Sequence, residues 1–335
     1  MRPTIRDIAK VAGVSPSAVS FALNGRPGVS EETRARIVRV AEEMNWRPNA
    51  VARALSESTT RTVGITIVRQ GEGIVGEAMY LRLISGINRG LKESGHSLQL
   101  RIVSTLKEEV DVYREWWGSR GVDGVFVLHP RENDIRLEAL QQMGLPSVVV
   151  GADREAPRCS AISIDEGLLM QQVVRHLAER GYRSLAFVCG DENDQQSLSR
   201  AESFEDCARK HGIEKVFSFT SDYSEDSGKV ITRRLLRSMP MPVGVVYENV
   251  SLAIGGRLAA AEEGLTVPGD MGIISWEESS VCRVTDPPMS AVARSPEVLG
   301  EEAAKTMIKL LREDEAEVHS IRVGHLQVRA SSMRK

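Results

Sequence analysis

Paired cysteines are missing from this 335-residue sequence, whose four cysteines lie far apart and never in a C-x-x-C motif. That spacing argues against a disulfide framework and a zinc site, and we expect reduced packing residues at Cys159, Cys189, Cys207 and Cys282. Apolar runs are also short, and none approaches the roughly 18 residues of a membrane-spanning helix. The first residues lack the apolar core of a signal peptide. We therefore expect a cytoplasmic protein with no membrane partner.

Catalytic motifs are missing as well. The sequence contains no P-loop, G-x-G-x-x-G, G-x-S-x-G or H-E-x-x-H pattern, and none of its six histidines forms an i, i+4 pair. An enzyme of sugar or nucleotide metabolism is therefore a weak hypothesis, and we expect neither a cofactor nor a metal. Aromatic residues make up only 4% of the chain, which leaves few rings to form the wall of a sugar site.

Charge is distributed unevenly along the chain, although the net charge is only −3. Residues 1–60 carry nine arginines and lysines against six carboxylates, so a basic head precedes an acidic remainder. An asymmetry of this kind is typical of a chain that binds a polyanion at one end. The excess is small, so the pattern of the head carries more weight than its charge.

Residues 1–46 predict three short helices around one small core. A capping-box-like pair, Thr4 and Asp7, begins the first helix, and Gly13 ends it. Ser15 caps a second helix with Pro16 at its first position, where the missing N–H costs nothing. The buried face of a third helix is predicted at Ile37, Val40, Ala41 and Met44. Two helices joined by a tight turn form a helix-turn-helix, whose second helix enters a DNA major groove; the alternative is a generic helical mini-domain.

Residues 47–61 separate the head from the body and are predicted to form a hinge helix and linker. Pro48 disfavours a helical conformation at the preceding residue, and Asn49 is a good N-cap for a helix over residues 50–55. A helix of that length is too short to be stable alone in water. We expect it to need a partner, and the alternative is an ordinary interdomain connector.

A series of motifs runs through the head and the hinge. They are Thr4-Ile5-Arg6-Asp7-Ile8-Ala9, Val14-Ser15, Val19-Ser20, Leu23-Asn24, Val29-Ser30, Thr33-Arg34, Pro48-Asn49 and Ala52-Arg53-Ala54-Leu55. Together they resemble the head and hinge of the lactose/galactose repressor (LacI/GalR) family. The resemblance implies a head that binds DNA as a dimer, a hinge helix in the minor groove, and a leucine wedge at Leu55. Such a wedge unstacks a base step at a cost of a few kcal/mol.

The same resemblance implies which side chains contact DNA. Phosphates would be held by Thr4, Ser15, Ser20 and Asn24. Base edges would be faced by Pro16, Ser17 and Phe21. In the hinge the implied contacts are Asn49, Ala52, Arg53 and Leu55, with Arg53 on phosphates. The family often has an arginine where this chain has Phe21, and a phenylalanine can make only apolar contacts, for instance with a thymine methyl group. We therefore expect an atypical operator half-site.

Residues 62–335 predict an α/β body, because short β-branched runs such as Val63–Val68 alternate with longer amphipathic segments such as Tyr80–Ser94. Such alternation predicts parallel sheets covered on both faces. A helix end, a capping glycine and a strand occur at 93–103 and again at 179–189. This echo indicates two similar lobes, with a cleft beyond the carboxyl ends of their strands.

The family resemblance continues through the body, though more loosely. It appears in Gly121-Val122-Asp123-Gly124, Leu145-Pro146, Val267-Pro268-Gly269-Asp270 and Pro287-Pro288. It implies a two-lobed type I periplasmic-binding-protein-like fold that holds an effector between the lobes. We place lobe one at about 62–161 and 290–321, and lobe two at about 162–289 and 322–335.

Seven residues are candidates for effector binding. Four match by position those that line the cleft in relatives: Asp165, Arg200, Asn249 and Glu277. Tyr80 and Trp276 are candidate aromatic walls, and His129 follows a predicted strand. An arginine, an amide and carboxylates suit a polar ligand, because a buried site rejects analogues that leave such groups unpaired. Asp165 could instead cap the following helix, Glu277 could be a solvated carboxylate, and His129 could be structural.

The sequence as a whole predicts a DNA-binding transcriptional regulator, most simply a repressor, controlled by a small polar effector such as a sugar or related metabolite. Departures from the family pattern at Ser203, Val250 and Ser275 leave open an effector other than a simple sugar. A solute-binding protein of the same body fold is the alternative, but it would require an export signal and leaves the head unexplained. We expect homodimers on a pseudo-palindromic operator, and the absence of a heptad tail after Ser331 favours dimers over tetramers.

Overall fold

The computed structural model describes residues 3–46, 59–68, 77–131, 133–151, 159–191 and 194–334. The chain divides into two compact units, Met1–Thr60 and Arg61–Lys335. The predicted hinge helix at 50–55 and its cap Asn49 lie outside the described residues. No helix in the described ranges is long and apolar enough to cross a membrane.

Three helices form the head: α1 (Ile5–Ala12), α2 (Pro16–Leu23) and α3 (Glu31–Glu43). Thr4 forms the predicted capping box with Asp7, and Gly13 ends α1 with a left-handed φ of 65°. The hydroxyls of Ser15 and Ser30 cap α2 and α3 by accepting a backbone N–H. Apolar side chains of all three helices share one core, built on Ile8, Ala9, Ala12, Val19, Ala22, Ile37, Val40 and Ala41. The helix starts predicted for the head are thereby confirmed.

The body alternates strands and helices throughout. Its strands are β1 (Thr62–Val68), β2 (Ser97–Val103), β3 (Gly124–Leu128), β4 (Ser147–Val150), β5 (Ser160–Ile164), β6 (Ser184–Val188), β7 (Lys215–Phe219), β8 (Val243–Tyr247), β9 (Met271–Ser275), β10 (Ser290–Ala293), β11 (Val318–Ile321) and β12 (His325–Gln327). Its helices are α4 (Glu77–Glu93), α5 (Leu106–Gly118), α6 (Ile135–Met143), α7 (Gly167–Glu179), α8 (Gln195–Lys210), α9 (Glu225–Ser238), α10 (Val250–Glu262), α11 (Ser280–Val284) and α12 (Pro296–Glu313), and a 3-10 turn lies at Ala330–Ser332.

The strands form two six-stranded sheets of matching order. Lobe one contains β11-β5-β4-β3-β1-β2, and lobe two contains β12-β10-β9-β8-β6-β7. The described pairs are parallel except β10 with β12, which runs antiparallel. Buried residues lie on both faces of each sheet, in two core clusters per lobe. The α/β prediction with two similar lobes is therefore confirmed.

The chain passes between the lobes after Ile164, after Ala293 and after Ile321. These positions follow from the pairing, since β5 and β11 belong to the first sheet and β10 to the second. The expected lobe boundaries at 161/162 and 289/290 are wrong by a few residues. β5 completes its ladder with β11 up to Ile164, and β10 pairs with β9 through Ser290 and Ala291, so neither strand can be split or reassigned.

The short apolar runs and amphipathic segments of the sequence predict the other strands and helices of the body, but not β5, β7, β10, β11, β12, α6, α9 and α11. β5 and β10 are serine- and alanine-containing runs that are nonetheless buried along most of their length. Composition did not separate them from loops, because partners elsewhere in the chain supply their hydrogen bonds. All four cysteines are buried and free, as expected.

Helices α4 and α12 of lobe one cross at close range. A Cβ on Gly86 would overlap the carbonyl of Glu297, and one on Gly300 would overlap the carbonyl of Leu83. Only glycine allows backbones to approach so closely. The crossing fixes the first turns of α4, which carry Tyr80 at the cleft.

Candidate functional site

The second helix of the head presents its polar face to solvent. Ser15, Pro16, Ser17, Phe21 and Asn24 are exposed, as the predicted recognition role requires. The Ser15 hydroxyl accepts the Ala18 N–H at 3.1 Å and so keeps its own hydrogen available for a phosphate oxygen. The exposed and capped α2 has the form of a recognition helix.

Two further head residues have internal partners. The Asn24 amide donates to the Ser20 hydroxyl at 3.4 Å. The Thr4 hydroxyl donates to the Asp7 carboxylate at 2.7 Å, and these bonds from Thr4 lower the pKa of Asp7. Thr4 therefore acts first as a helix cap. Its contact with a phosphate stays a prediction, as do the contacts of the other head residues; Asn49, Ala52, Arg53 and Leu55 lie outside the described residues.

The candidate effector site is a cavity of about 1440 Å³ in the body. Its lining comes from residues that follow strands of both sheets, the location expected for a ligand site in parallel α/β lobes. Five of the predicted effector residues contribute to it: Tyr80, His129, Arg200, Asn249 and Glu277. Their convergence makes the cleft the candidate site, while contact with a ligand stays a prediction for each residue.

Arg200 forms the centre of a buried ion network in lobe two. Its side chain donates to Glu166 and to Glu248, each at 2.5 Å. Glu166 also accepts from Arg294 at 2.6 Å, and Glu248 accepts from the Ser197 hydroxyl. Burial alone would raise the pKa of Glu166, but Arg200 and Arg294 together lower it. The network therefore links two crossings between the lobes, at Glu166 and Arg294, to the floor of the cleft.

A second buried network lies in lobe one around Arg136. Arg136 and Glu109 are 2% and 1% exposed. The guanidinium donates to Glu109 at 3.1 Å and to Asp134 at 2.6 Å, and also to the carbonyl of His129 at 2.7 Å. Glu109 accepts further bonds from the hydroxyls of Thr66 and Tyr113. This network holds the backbone of His129, whose φ is +49°.

Contacts between the lobes meet at His129 and Asp194. The His129 Nε2 lies 2.8 Å from the Tyr80 hydroxyl, and its Nδ1 lies 3.5 Å from the Asp194 carboxylate of lobe two. Burial alone would raise the pKa of Asp194, but His129, Arg200 and the Gln196 N–H lower it to about 2. Asp194 is therefore ionised across the physiological range.

Two predicted effector residues lie elsewhere. Trp276 is fully buried against Phe187 in the core of lobe two, with no hydrogen-bond partner for its indole N–H. It does not line the cleft, and the guanidinium of the lining residue Arg294 lies over its ring, 6.0 Å from the centroid. Asp165 pairs with Arg322 at 3.1 Å and lines a separate pocket of about 290 Å³. It is not the cap of α7 either, since that position belongs to Glu166, which makes no capping bond.

Asn249 lines the cleft, but both the oxygen and the nitrogen of its side-chain amide form hydrogen bonds within the protein. Its Oδ1 accepts the Leu252 N–H at 2.8 Å and so caps α10, while its Nδ2 donates to the carbonyl of Tyr223 at 3.1 Å. Tyr223 was missed by the sequence analysis, because β7, which precedes it, was not predicted. Its side chain leans against Gly190, where a Cβ would overlap the ring, and its hydroxyl lies 2.9 Å from that of Ser197.

Other lining residues were also missed, namely Glu166, Asp194, Glu248 and Arg294. The signal that could have located Glu248 and Arg294 is their position just after β8 and β10, where parallel strands end at the cleft. No group of three or more histidine, cysteine, aspartate or glutamate side chains among the described residues could hold a metal.

Comparisons with known proteins address both units. Residues 4–49 match the family model described as bacterial regulatory proteins, lacI family, and residues 174–332 match the periplasmic binding protein-like domain. The HTH-type transcriptional repressor PurR of Actinobacillus pleuropneumoniae is 27% identical over 320 residues, 94% of this chain and 93% of the relative. The HTH-type transcriptional regulator CelR of Thermobifida fusca is 26% identical over 337 residues, 98% of each chain.

Solved structures agree with these relatives. A LacI family transcriptional regulator from Bifidobacterium animalis subsp. lactis superposes with a TM-score of 0.74 at 28% identity, covering 82% of this chain and 98% of its own. The transcriptional regulator CelR in complex with cellobiose also gives 0.74, at 25% identity and with 98% and 100% coverage. The lac repressor dimer bound to operator gives 0.84 over 99% and 100% of the chains, and at 19% identity this likeness concerns the fold alone. The chain therefore carries a head of the lacI family of bacterial regulatory proteins and a periplasmic binding protein-like domain, and the relatives named above are transcriptional regulators rather than enzymes.

Proposed function

We propose that this protein is a DNA-binding repressor whose operator affinity is controlled by a small polar effector in the cleft between its lobes. The observation that carries the proposal is the presence, on one chain, of a capped helix-turn-helix with an exposed second helix and a two-lobed body with a polar cleft. A solute-binding protein would have no use for the head. Acting on DNA, the protein would work in the cytoplasm, as a homodimer on a pseudo-palindromic site.

On DNA, the head would combine positioning and reading contacts. Ser15, Ser20, Asn24 and Thr4 would hold phosphates, and such contacts fix register without reading sequence. Pro16, Ser17 and Phe21 would face base edges, with Phe21 restricted to apolar partners such as a thymine methyl group. In the hinge, Asn49 would cap a helix that carries Ala52, Arg53 and the wedge Leu55. The bent duplex contacts more of the protein, and these contacts offset the free-energy cost of unstacking.

In the body, the effector would bind between Tyr80 and His129 on one side and Arg200, Asn249 and Glu277 on the other. Support comes from the convergence of these residues on one cavity and from the related regulator solved with cellobiose. A ligand that contacts both lobes favours one angle between them, because it binds the two arrangements with different affinities. Through the hinge, that angle would set DNA affinity, and DNA would reciprocally alter effector affinity.

The DNA-binding half of the proposal is testable without knowing the operator. Selection from a randomised duplex library, followed by fluorescence anisotropy at fixed salt, should yield a pseudo-palindrome bound about 10³-fold or more tightly than random DNA. Phe21→Ala should weaken binding to that site, because it removes an apolar contact with a base, and the loss should be about 1–3 kcal/mol, as for a mismatch at one base pair.

Val11→Ala is the matched control for Phe21→Ala. Val11 is also an exposed apolar residue of the head, 62% accessible, but lies on α1. Its replacement should leave operator affinity unchanged. Equal affinity of the unaltered protein for selected and random duplexes would contradict the proposed function.

A further inference from the structure

The cleft lining contains fewer arginines than carboxylates. Its described lining contains the arginines Arg82, Arg131, Arg136, Arg200, Arg283 and Arg294. It contains more carboxylates, namely Glu109, Glu166, Asp191, Asp194, Asp222, Glu248, Glu277 and Glu278. Each of these six arginines already lies within 4.0 Å of a carboxylate. An anionic ligand would therefore compete with a carboxylate that already lies beside each of these arginines.

Three of the lining carboxylates lack such a partner. Among the described residues, no arginine or lysine lies within 4.0 Å of Asp194, Asp222 or Glu277. Asp222 is exposed and accepts two bonds from Ser224. Asp194 is buried, but it accepts the Gln196 N–H at 2.9 Å and the Tyr223 hydroxyl at 3.2 Å, and the His129 imidazole lies 3.5 Å away. Glu277 is half-buried, and its charge is the less compensated of the two.

Both of these carboxylates act on the same part of the cleft. Burial raises the pKa of the Tyr80 hydroxyl to about 12, and the negative charges of Asp194, Glu109 and Glu277 add to the rise. Burial also raises the pKa of Glu277 itself. Arg294 and Arg82 lower the pKa of Glu277 in part, but they do not offset its desolvation fully. The space around Tyr80 is therefore a region of negative potential inside the cleft.

We propose that the effector carries a cationic group of the protonated-amine class, which binds near Tyr80 where Glu277 and Asp194 face the cleft. An ammonium group donates charge-assisted hydrogen bonds to carboxylates, and the rings of Tyr80 and Tyr223 offer faces to a cation. A carboxylate or phosphate ligand would meet the same charges as repulsion. This inference rests on the proposed effector site and specifies its ligand class.

The test uses three sugars that share one ring: relative to glucose, glucosamine carries an ammonium at C2 and glucuronate carries a carboxylate at C6. Glucosamine, glucose and glucuronate present a cation, a neutral hydroxyl and an anion, and would be titrated into the full-length protein at about pH 6, where the amine is protonated. Thermal shift and calorimetry at constant ionic strength give the stabilisation and the Kd. Glucosamine should bind about tenfold or more tightly than glucose, and glucuronate should not raise the Tm.

Two variants locate the effect. Glu277→Gln should weaken glucosamine about tenfold while changing the Kd of glucose little, because only the charge is removed. Glu263→Gln makes the same substitution at an exposed position outside the cleft and should change neither Kd. The wild-type comparison of the three sugars stands even if the Glu277 variant fails to fold.

Several results would overturn the inference. These are an absence of stabilisation by glucosamine, binding of glucuronate as tight as that of glucosamine, or equal losses in the two variants. The anisotropy measurement on DNA separates this failure from failure of the proposed function. A protein that selects an operator but ignores amines remains a repressor with a different ligand class, whereas one that binds amines but no operator loses the function instead.

Discussion

Arg136 in lobe one and Arg200 in lobe two have similar surroundings, but only Arg200 contacts a crossing between the lobes. Both are buried, and both contact two carboxylates at the cleft. The partners of Arg136 are Asp134, Glu109 and the carbonyls of Leu128 and His129, all within lobe one. Arg200 instead contacts Glu166 on a crossing between the lobes, and Glu166 contacts Arg294 on another.

The difference shows that burial and pairing alone do not assign a role to an arginine. A buried ion pair whose members all belong to one lobe stabilises that lobe whatever the angle between the lobes. A pair that includes crossing residues changes its geometry when the lobes move, so a ligand near Arg200 can alter it. Arg136 is therefore a structural residue that positions His129, and Arg200 is the candidate for transmitting ligand binding to the crossings.

The largest effect is expected for Arg136→Met. It leaves Glu109 and Asp134 buried without their cation, and breaking a buried pair in this way costs about 3–5 kcal/mol. Urea unfolding of the body transition measures the loss. The control is Arg101→Gln, which removes an exposed pair with Glu115 and should cost less than about 1 kcal/mol. A similarly small loss of unfolding free energy in both variants would contradict the structural role of Arg136.

Arg200→Met should cost less, about 1.5–3 kcal/mol, because its partners retain Arg294 and Ser197. Its effect should also depend on pH. The lowered pKa of Glu166 contributes stability that is present above its ordinary value of 4.5 and is lost as the pH falls through the folded value. Without Arg200, burial should dominate the pKa of Glu166. The stability gained at higher pH should then shrink or reverse.

The measurement for Arg200 is the urea midpoint of each protein between about pH 3.5 and 6. The wild-type midpoint should rise with pH more steeply than that of Arg200→Met. Arg200→Lys keeps the positive charge and should follow the wild-type slope. Parallel pH profiles for all three proteins would show that the pKa of Glu166 does not depend on Arg200.

The smallest effect is expected for Asp165→Asn. Its pair with Arg322 is solvent-accessible, with 77% of the arginine side chain exposed, so its loss should cost at most about 1 kcal/mol. The loss should disappear at high salt, where exposed pairs are screened. Glucosamine binding should be unchanged, since Asp165 lies outside the cleft. A loss of glucosamine binding by Asp165→Asn would instead indicate that Asp165 belongs to the effector site.

The head shows how far local sequence can lead. Thr4, Gly13, Ser15, Pro16 and Ser30 each act within a few residues of their own position, through a capping bond or a left-handed φ. Such signals are complete in the sequence, so the three helices and their order were predictable. The hinge contacts of Asn49, Ala52, Arg53 and Leu55 were instead implied by the family resemblance, and they stay predictions.

The cleft shows where that reasoning stops. The resemblance brought Arg200, Asn249 and Glu277 to the edge of the sheets where the cleft lies, but it also placed Asp165 there. The search for an aromatic wall added Trp276, which does not line the cleft. Asp165 is adjacent to the cleft residue Glu166 in sequence, yet it pairs with Arg322, whereas Glu166 pairs with Arg200 and Arg294. Only the fold decides which of two adjacent carboxylates meets which arginine.

By itself the sequence determined the helix-turn-helix, the two α/β lobes and the family, because capping residues, alternation of apolar runs and motif order are local properties. The tertiary structure alone decided which charges are neutralised. Glu166 meets Arg294 across 128 residues, and Arg136 meets Glu109 across 27. Among the described residues, Glu277 has no arginine or lysine within 4.0 Å, and that difference is set by packing between segments far apart in the chain.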